Sequence, residues 1–303
     1  MTRVGGAVIA LLVMGLLFGA GSQANEAKIV VASKIDTEGA LLGNMILELL
    51  EARGLTVESK IQLGPTNIVR AAILAGQIDI YPEYTGNGAL FFHREDDPAW
   101  KNWGQGYALV ERLCREENHL VWLRPAPANN TWVIAVRRDL ADRHGLKTMG
   151  DFAKYVTDVG RIKLAASAEF VESPAALPAF EAAYGFHLSD EQLLTLSGGN
   201  TAATLRAAAE KMSGVNAAMA YGTDGALAAL GLVALDDDRG AQIVYAPAPV
   251  VREAVLRQHP EIGTALDPVF KTLTLETLQR LNAEIAVNGE EARSVAMSYL
   301  KSK

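Results

Sequence analysis

Residues 28–54 read KIVVASKIDTEGALLGNMILELLEARG, and residues 60–81 read KIQLGPTNIVRAAILAGQIDIY. Short β-branched runs alternate in these stretches with runs whose apolar residues recur at helical spacing. The order favours a largely parallel sheet that is covered by helices. The predicted elements are strands at residues 29–32, 60–63 and 78–81, with helices at 40–53 and 65–76 that end at Gly54 and Gly76.

The same rhythm begins again after a stretch rich in Trp and Pro at residues 98–127. The pattern predicts strands at 132–136, 163–166 and 215–221, helices at 149–156, 174–184, 201–211 and from Asp224, and a helical tail at 260–300. No flexible linker separates the two halves, so we expect two α/β lobes between which the chain crosses more than once, with a cleft at the hinge. The predicted boundaries are residues 25–128 plus 247–303 for lobe I and 129–246 for lobe II.

The amino end predicts a secretory signal peptide at residues 1–24. Arg3 supplies an early positive charge, an apolar run follows at residues 7–18, and the small residues of Ser22-Gln23-Ala24 form a cleavage site. The apolar run is shorter than the roughly 20 residues that span a bilayer. No cysteine follows it to carry a lipid anchor. We therefore expect a mature protein that is free in the periplasm and monomeric.

Composition argues against several function classes. The formal net charge of -7 over 303 residues leaves no basic stripe for nucleic acid. Cys114 is the single cysteine, so no internal disulfide forms. The five histidines lack metal-ligand spacing, and the common catalytic motifs are absent from the sequence. We expect no enzyme activity, no cofactor and no metal.

Aromatic residues mark the predicted strand ends. Tyr81 ends one predicted strand before a turn, Trp132 opens another, Tyr221 ends a third before Gly222-Thr223-Asp224-Gly225, and Tyr245 ends a predicted strand at 243–245. Each of these residues alone is more often part of a core. Their shared position at strand-to-turn junctions, where two-lobed α/β proteins bind ligands, favours a site.

Five ordered segments resemble the glycine betaine, choline and carnitine-binding proteins of ABC osmoprotectant importers over the whole mature length. They are Ala32-Ser33-Lys34-Ile35-Asp36-Thr37-Glu38, Asp79-Ile80-Tyr81-Pro82-Glu83-Tyr84-Thr85-Gly86, Asn129-Asn130-Thr131-Trp132, Tyr221-Gly222-Thr223-Asp224-Gly225 and Ala248-Pro249-Val250-Val251-Arg252. The resemblance implies the type II fold of two-lobed periplasmic binding proteins. It also implies capture of a quaternary-ammonium osmolyte and delivery to an ABC permease.

The resemblance further implies an aromatic cage around the trimethylammonium head, formed by Tyr81, Trp132, Tyr221 and Tyr245. Asp79 is expected to add a negative charge, and four positions are candidates for donors to a carboxylate: Ser33, Thr37, Asn130 and Thr223. The chain departs from the family pattern at Asp36 and Gly39, where an aromatic residue and Gln are common, and at Trp132, where Tyr is usual. Asp36 would favour a purely cationic ligand, although the cap of the first helix is its simpler interpretation.

Two other functions stay open from sequence. An enzyme on the same scaffold would need Cys114 as its nucleophile. A binding protein for an amino acid or another polar solute would need Arg137, Arg138 or Arg252 to reach a carboxylate.

Overall fold

The computed structural model describes residues 1, 2, 28–196 and 201–303. The predicted signal peptide therefore lies outside the described residues, apart from Met1 and Thr2. Within the described part of the chain, the helices lack the length and apolar character needed to cross a membrane.

The first sheet holds five strands, numbered here in chain order: β1 (Ile29–Lys34), β2 (Val57–Gly64), β3 (Ile80–Tyr84), β4 (Leu120–Trp122) and β10 (Pro247–Arg252). Their order across the sheet is β2-β1-β3-β10-β4. β1 is parallel to β2 and β3, whereas β10 is antiparallel to both of its neighbours. β1 lies between two strands and is buried almost throughout, which explains the apolar run Ile29-Val30-Val31-Ala32 at its start.

The second sheet repeats this plan with β5 (Trp132–Arg137), β6 (Leu164–Ser167), β7 (Leu193–Leu196), β8 (Ala217–Tyr221) and β9 (Leu232–Ala234). The order is β7-β6-β8-β5-β9, and β5 is the antiparallel strand. Each sheet thus combines four strands of one direction with one reversed strand, and that reversed strand directly follows a crossing of the chain from the other sheet.

Helices cover both sheets. Those of the first sheet are α1 (Thr37–Glu51), α2 (Thr66–Leu74), α3 (Asn87–Phe91), α4 (Trp103–Asn118), α11 (Glu253–Gln258), α12 (Glu261–Phe270), α13 (Leu275–Ala286) and α14 (Ala292–Lys301). Those of the second are α5 (Arg138–His144), α6 (Met149–Val159), α7 (Ala168–Glu172), α8 (Leu177–Tyr184), α9 (Thr201–Ala209) and α10 (Ala226–Ala229). Separate apolar cores lie under the two sets. We call the first set with its sheet lobe I and the second lobe II.

The chain crosses between the lobes twice, from β4 to β5 and from β9 to β10, and the two crossings are hydrogen-bonded to each other. The amide of Asn130 donates to the carbonyl of Tyr245 at 3.0 Å, and the hydroxyl of Thr131 donates to the carbonyl of Ile243 at 2.7 Å. This is the two-lobed arrangement expected from the sequence. The lobe boundaries at 128/129 and 246/247 stay a prediction.

Two local predictions were wrong. The helix predicted at 174–184 begins only at Leu177, as α8, and a separate helix that was not predicted, α7, ends at Glu172 before it; Ser173, which precedes Pro174, is extended and separates the two. The strand predicted at 243–245 is irregular. Its backbone pairs with loop groups instead of a strand: the side chain of Asn129 accepts from the Tyr245 amide at 2.8 Å.

Candidate functional site

A cavity of about 790 Å³ lies between the two lobes. Lobe I contributes residues that follow β1 and end β3, and lobe II contributes residues at the start of β5 and the end of β8. Side chains at such sheet edges face the crevice of α/β proteins. The lining residues are Lys34, Asp36, Thr37, Glu38, Thr66, Tyr84, Asn87, Asn130, Trp132, Glu169, Thr201, Tyr221, Thr223, Asp224, Gly225, Tyr245, Asn282 and Ala286.

Four aromatic side chains line this cavity: Tyr84, Trp132, Tyr221 and Tyr245. Trp132 and Tyr221 are direct partners across β5 and β8. Their ring centroids are 6.5 Å apart and their planes meet at 19°. Phe170 packs edge-on against Trp132 at 5.8 Å and restricts its orientation. The cavity therefore has aromatic groups from lobe I, from lobe II and from the second crossing.

The phenol groups stay protonated at physiological pH. Burial raises the pKa of Tyr84 and of Tyr221, and it raises the pKa of Tyr245 to about 12. Neutral aromatic faces attract a cation through the ring quadrupole.

Tyr81, predicted as a cage residue, does not line the cavity. It is fully buried in the core of lobe I, where its hydroxyl donates to Glu83 at 3.2 Å. The cause is the true extent of β3, which continues through Pro82 to Tyr84 instead of ending at residue 81. Tyr84, at the end of the strand, holds the position at the cavity that the sequence prediction gave to Tyr81.

Asp79 and Ser33 also lie outside the cavity lining. Asp79 precedes β3 and accepts from the amide of Val30 at 2.8 Å, and it forms an ion pair with Arg252 at 2.9 Å. Ser33 is buried and accepts from the amide of Gln62 at 2.9 Å. Both residues support the sheet of lobe I.

The other four predicted polar residues do line the cavity: Asp36, Thr37, Asn130 and Thr223. Asp36 is the N-cap of α1 and accepts from the amide of Gly39 at 2.7 Å. Their roles in binding stay predictions, as do those of the aromatic residues.

Sequence reasoning missed a buried ion pair between Lys34 and Glu83. The hydroxyl of Tyr81, the backbone amide of Tyr84 at 2.7 Å and the side chain of Asn87 at 2.7 Å also donate to the Glu83 carboxylate. The Lys34 ammonium lies 4.6 Å from the centre of the Tyr84 ring. Glu83 stands within the Pro82-Glu83-Tyr84 segment that sequence analysis interpreted as a turn, and so its burial in a strand was not foreseen.

Glu38 was also missed as a site residue. Its carboxylate accepts from the hydroxyl of Tyr84 at 2.8 Å, from the side-chain amide of Asn282 at 2.7 Å and from that of Asn130 at 3.3 Å. The Asn282 side chain also donates to the carbonyl of Thr223 in lobe II at 3.0 Å. Because the donors come from distant parts of the chain, no local sequence pattern predicts this cluster.

The residues that the alternative functions need lie elsewhere. Arg252 pairs with Asp79, Arg137 pairs with Asp139 at 2.9 Å, and Arg138 is not among the residues that line the cavity. Cys114 is buried in the core of lobe I, where burial raises the pKa of its thiol. Among the described residues, no group of His, Cys, Asp and Glu has the arrangement of a metal site.

Residues 27–302 match the family model of the substrate-binding domain of ABC-type glycine betaine transport systems. The chain belongs to this family. The glycine betaine-binding protein YehZ of Escherichia coli is 60% identical over 273 residues, which cover 90% of each chain. A glycine-betaine-binding protein of Pseudomonas aeruginosa is 31% identical over 94% of this chain and 90% of the relative.

Solved structures agree with this assignment. The structure of ligand-free YehZ from Escherichia coli has a TM-score of 0.85 at 59% identity, with coverage of 91% of this chain and 98% of that one. The structure of a glycine betaine/carnitine/choline ABC transporter protein has a TM-score of 0.80 at 21% identity, with coverage of 91% and 98%, and supports the fold. The family is one of solute-binding proteins with the two-lobed type II fold.

Proposed function

We propose that this protein is the solute-binding subunit of an ABC importer and that it captures a quaternary-ammonium osmolyte of the glycine betaine class. The observation that carries the proposal is the set of aromatic side chains, Tyr84, Trp132, Tyr221 and Tyr245, that line one cavity from both lobes. A quaternary ammonium has no N–H to donate. Aromatic faces recognise such a cation, and each contributes roughly 0.5–2 kcal/mol when water is excluded.

Capture proceeds by closure of the lobes about the paired crossings. A ligand that touches Tyr84 of lobe I and Trp132 of lobe II at once binds the closed form better than the open form, so it shifts the population toward closure. Closure requires only that the ligand binds the closed form more tightly than the open form, and it requires no covalent chemistry. The closed form is then presented to the membrane permease of the importer.

The relatives support the ligand class, because those from Escherichia coli and Pseudomonas aeruginosa are glycine betaine-binding proteins. The family, which consists of substrate-binding domains of ABC-type transport systems, supports the permease as partner. The predicted signal peptide at residues 1–24 supports a periplasmic location. We further propose that the protein acts as a monomer and without enzyme activity.

The test is calorimetric titration of the mature protein with glycine betaine, choline, carnitine and proline betaine, with tryptophan fluorescence in parallel. Trp132 is the tryptophan that lines the cavity, so we expect saturable heat together with a fluorescence change. Trp132→Ala should remove the fluorescence change and weaken binding by about tenfold or more. The matched control is Trp103→Ala, since Trp103 lies on α4 and is 40% exposed outside the cavity lining.

Folded protein that gives neither heat nor fluorescence change with any of the four ligands contradicts the proposed ligand class. An equal loss in the Trp132 and Trp103 variants contradicts the cage.

A further inference from the structure

Glu38 is a buried carboxylate at the cavity that no cation neutralises among the described residues. The residue is 5% exposed and lines the cavity beside Tyr84. Its hydrogen-bond donors, from Tyr84, Asn130, Asn282 and Thr223, are all neutral. Neutral donors hold a carboxylate in place, but its negative charge remains to act on whatever enters the cavity.

The lysine at this site is engaged elsewhere. Lys34 is the one cationic side chain among the described residues that line the cavity, and it pairs with Glu83. Glu83 is completely buried, so removal of Lys34 toward a ligand would leave that carboxylate unpaired in the core. Lys34 is therefore a poor partner for the carboxylate of a ligand.

Three further carboxylates line the cavity, and each differs from Glu38. Asp36 is exposed and caps α1. Asp224 accepts from the amide of Tyr221 at 2.8 Å. Glu169 is exposed, and water and salt screen its charge. They add to the negative character of the cavity, whereas Glu38 supplies the buried charge next to the aromatic groups.

We propose that Glu38 is the counter-ion for the ammonium head of the ligand, and that this site therefore prefers a quaternary ammonium without a carboxylate over a zwitterion. The inference rests on the proposed function and refines its substrate class. Choline and glycine betaine share the trimethylammonium head, but glycine betaine adds a carboxylate that meets like charge in this cavity and finds no uncommitted cation among the described lining residues.

The same placement couples ligand binding to a proton. Burial raises the pKa of Glu38 to about 7, and the hydrogen bonds from Thr223, Asn282 and Tyr84 oppose that rise. A cation at the site favours the ionised carboxylate, lowers this pKa and releases a proton. Affinity for the cation should then fall by up to tenfold for each pH unit below 7 and level off above it.

The charged groups near Glu38 on the neighbouring elements are Asp36 and Lys34, and Asp224, whose pKa burial also raises, lines the same cavity. Asp36 lies before α1, Lys34 of β1 pairs with Glu83 of β3, and Tyr84 ends β3. The remaining neighbours are Asn130 of the first crossing, Asn282 of α13 and Thr223 of lobe II, which do not titrate in this range.

The experiment compares choline with glycine betaine by calorimetry on the wild-type protein, Glu38→Gln and Glu117→Gln, from pH 5.5 to 8.5 and in buffers of different ionisation enthalpy. We expect the wild type to bind choline at least tenfold more tightly than glycine betaine, with proton release near pH 7. Glu38→Gln should weaken the binding of choline by at least tenfold. It should also reduce the preference for choline over glycine betaine and remove the proton release. Glu117→Gln, which removes an exposed carboxylate of α4 outside the cavity lining, should retain both the preference for choline and the proton release.

Circular dichroism and thermal unfolding establish whether Glu38→Gln is folded. If that variant does not fold, the ligand preference and the proton release of the wild type still decide the matter. Two results would overturn the role of Glu38 as counter-ion. One is that the wild type binds glycine betaine as tightly as choline, and the other is that its binding of choline does not depend on pH. Binding of neither ligand to folded protein overturns the proposed function, and the counter-ion with it.

Discussion

Trp132 and Tyr221 lie directly opposite each other on β5 and β8, and their rings are stacked with centroids 6.5 Å apart. One residue opens its strand and the other ends its strand, so both reach the cavity from the same edge of the lobe II sheet. Antiparallel register thus produces an aromatic wall from two residues that are 89 positions apart in the chain. A cation that rests on this wall depends on both rings.

The ligand affinity of Trp132 variants should therefore depend on the ring that the substitution leaves at this position. We expect Trp132→Ala to weaken a quaternary ammonium by about tenfold or more, and Trp132→Phe to retain part of the affinity, because Trp offers the strongest cation–π attraction and Phe a weaker one. Titration calorimetry measures both. Asp224→Ala should reduce ligand affinity less than Trp132→Ala does, since Asp224 accepts a hydrogen bond from the backbone amide of Tyr221. Equal losses in these variants would contradict the aromatic wall.

Tyr84 and Tyr81 should separate binding from stability. Tyr84→Leu removes a ring from the cavity and should reduce affinity by roughly 2–30-fold. Tyr81→Phe removes a hydroxyl that donates to buried Glu83, so it should cost about 1 kcal/mol of unfolding free energy and leave affinity unchanged. Calorimetry and urea unfolding on the same samples provide the comparison. Reduced affinity in Tyr81→Phe would show that Tyr81 contributes to ligand binding.

The free energy of unfolding should depend on pH through Glu38. The pKa of Glu38 is about 7 in the folded protein and near 4.5 in the unfolded chain. The folded state therefore binds the extra proton between these values, and this stabilisation is present below pH 4.5 and is lost as pH rises to about 7. The loss amounts to about 3 kcal/mol at roughly 1.4 kcal/mol per pKa unit.

Glu38→Gln should flatten this dependence, so that the variant gains stability relative to the wild type at pH 8. Urea unfolding of the ligand-free proteins at pH 5 and pH 8 measures the difference. Parallel profiles for the wild type and Glu38→Gln would show that Glu38 titrates normally.

The contact between lobe II and α13 should be intolerant of a single methyl group. A Cβ at Gly225 would lie 2.2 Å from the backbone nitrogen of Ala283 and 2.5 Å from the carbonyl carbon of Asn282. Because these are backbone atoms, Gly225→Ala should cost about 1–3 kcal/mol and displace the loop that holds Thr223. The thermal unfolding temperature and the ligand affinity should both decrease.

Gly263 offers the matched control, since nothing lies within 4 Å of its Cβ position in α12. Gly263→Ala should stabilise by about 0.5–1 kcal/mol, because alanine loses less backbone entropy in a helix. A Gly225→Ala variant as stable as the wild type would mean that the loop has another accessible position.

Asp79 should contribute to the stability of lobe I and not to ligand affinity. Asp79→Asn removes one charge of the ion pair with Arg252 and weakens the acceptor for the Val30 amide, so we expect a loss of about 1–2 kcal/mol of unfolding free energy. Affinity for a quaternary ammonium should not change. Chemical unfolding and calorimetry test the two statements separately, and a clear loss of affinity in a stably folded variant would contradict the placement.

Much of the architecture followed from local pattern. Alternation of β-branched and helical runs predicted two α/β lobes, and the absence of a linker predicted that the chain crosses more than once. Trp132, Tyr221 and Tyr245, which sequence placed at strand-to-turn junctions, line the cavity. Asp36 also proved to be a helix cap, as its position before α1 indicated.

The sequence by itself therefore determined the elements, the lobes and most aromatic positions, since these depend on residues a few positions apart. Tertiary structure decided which residue of β3 faces the cavity, because the continuation of the strand through Pro82 replaces Tyr81 with Tyr84 at the edge. It also decided the charge of the site. Glu38 gathers Tyr84, Asn130 and Asn282 from up to 244 positions away, and only folding brings such groups within hydrogen-bonding distance.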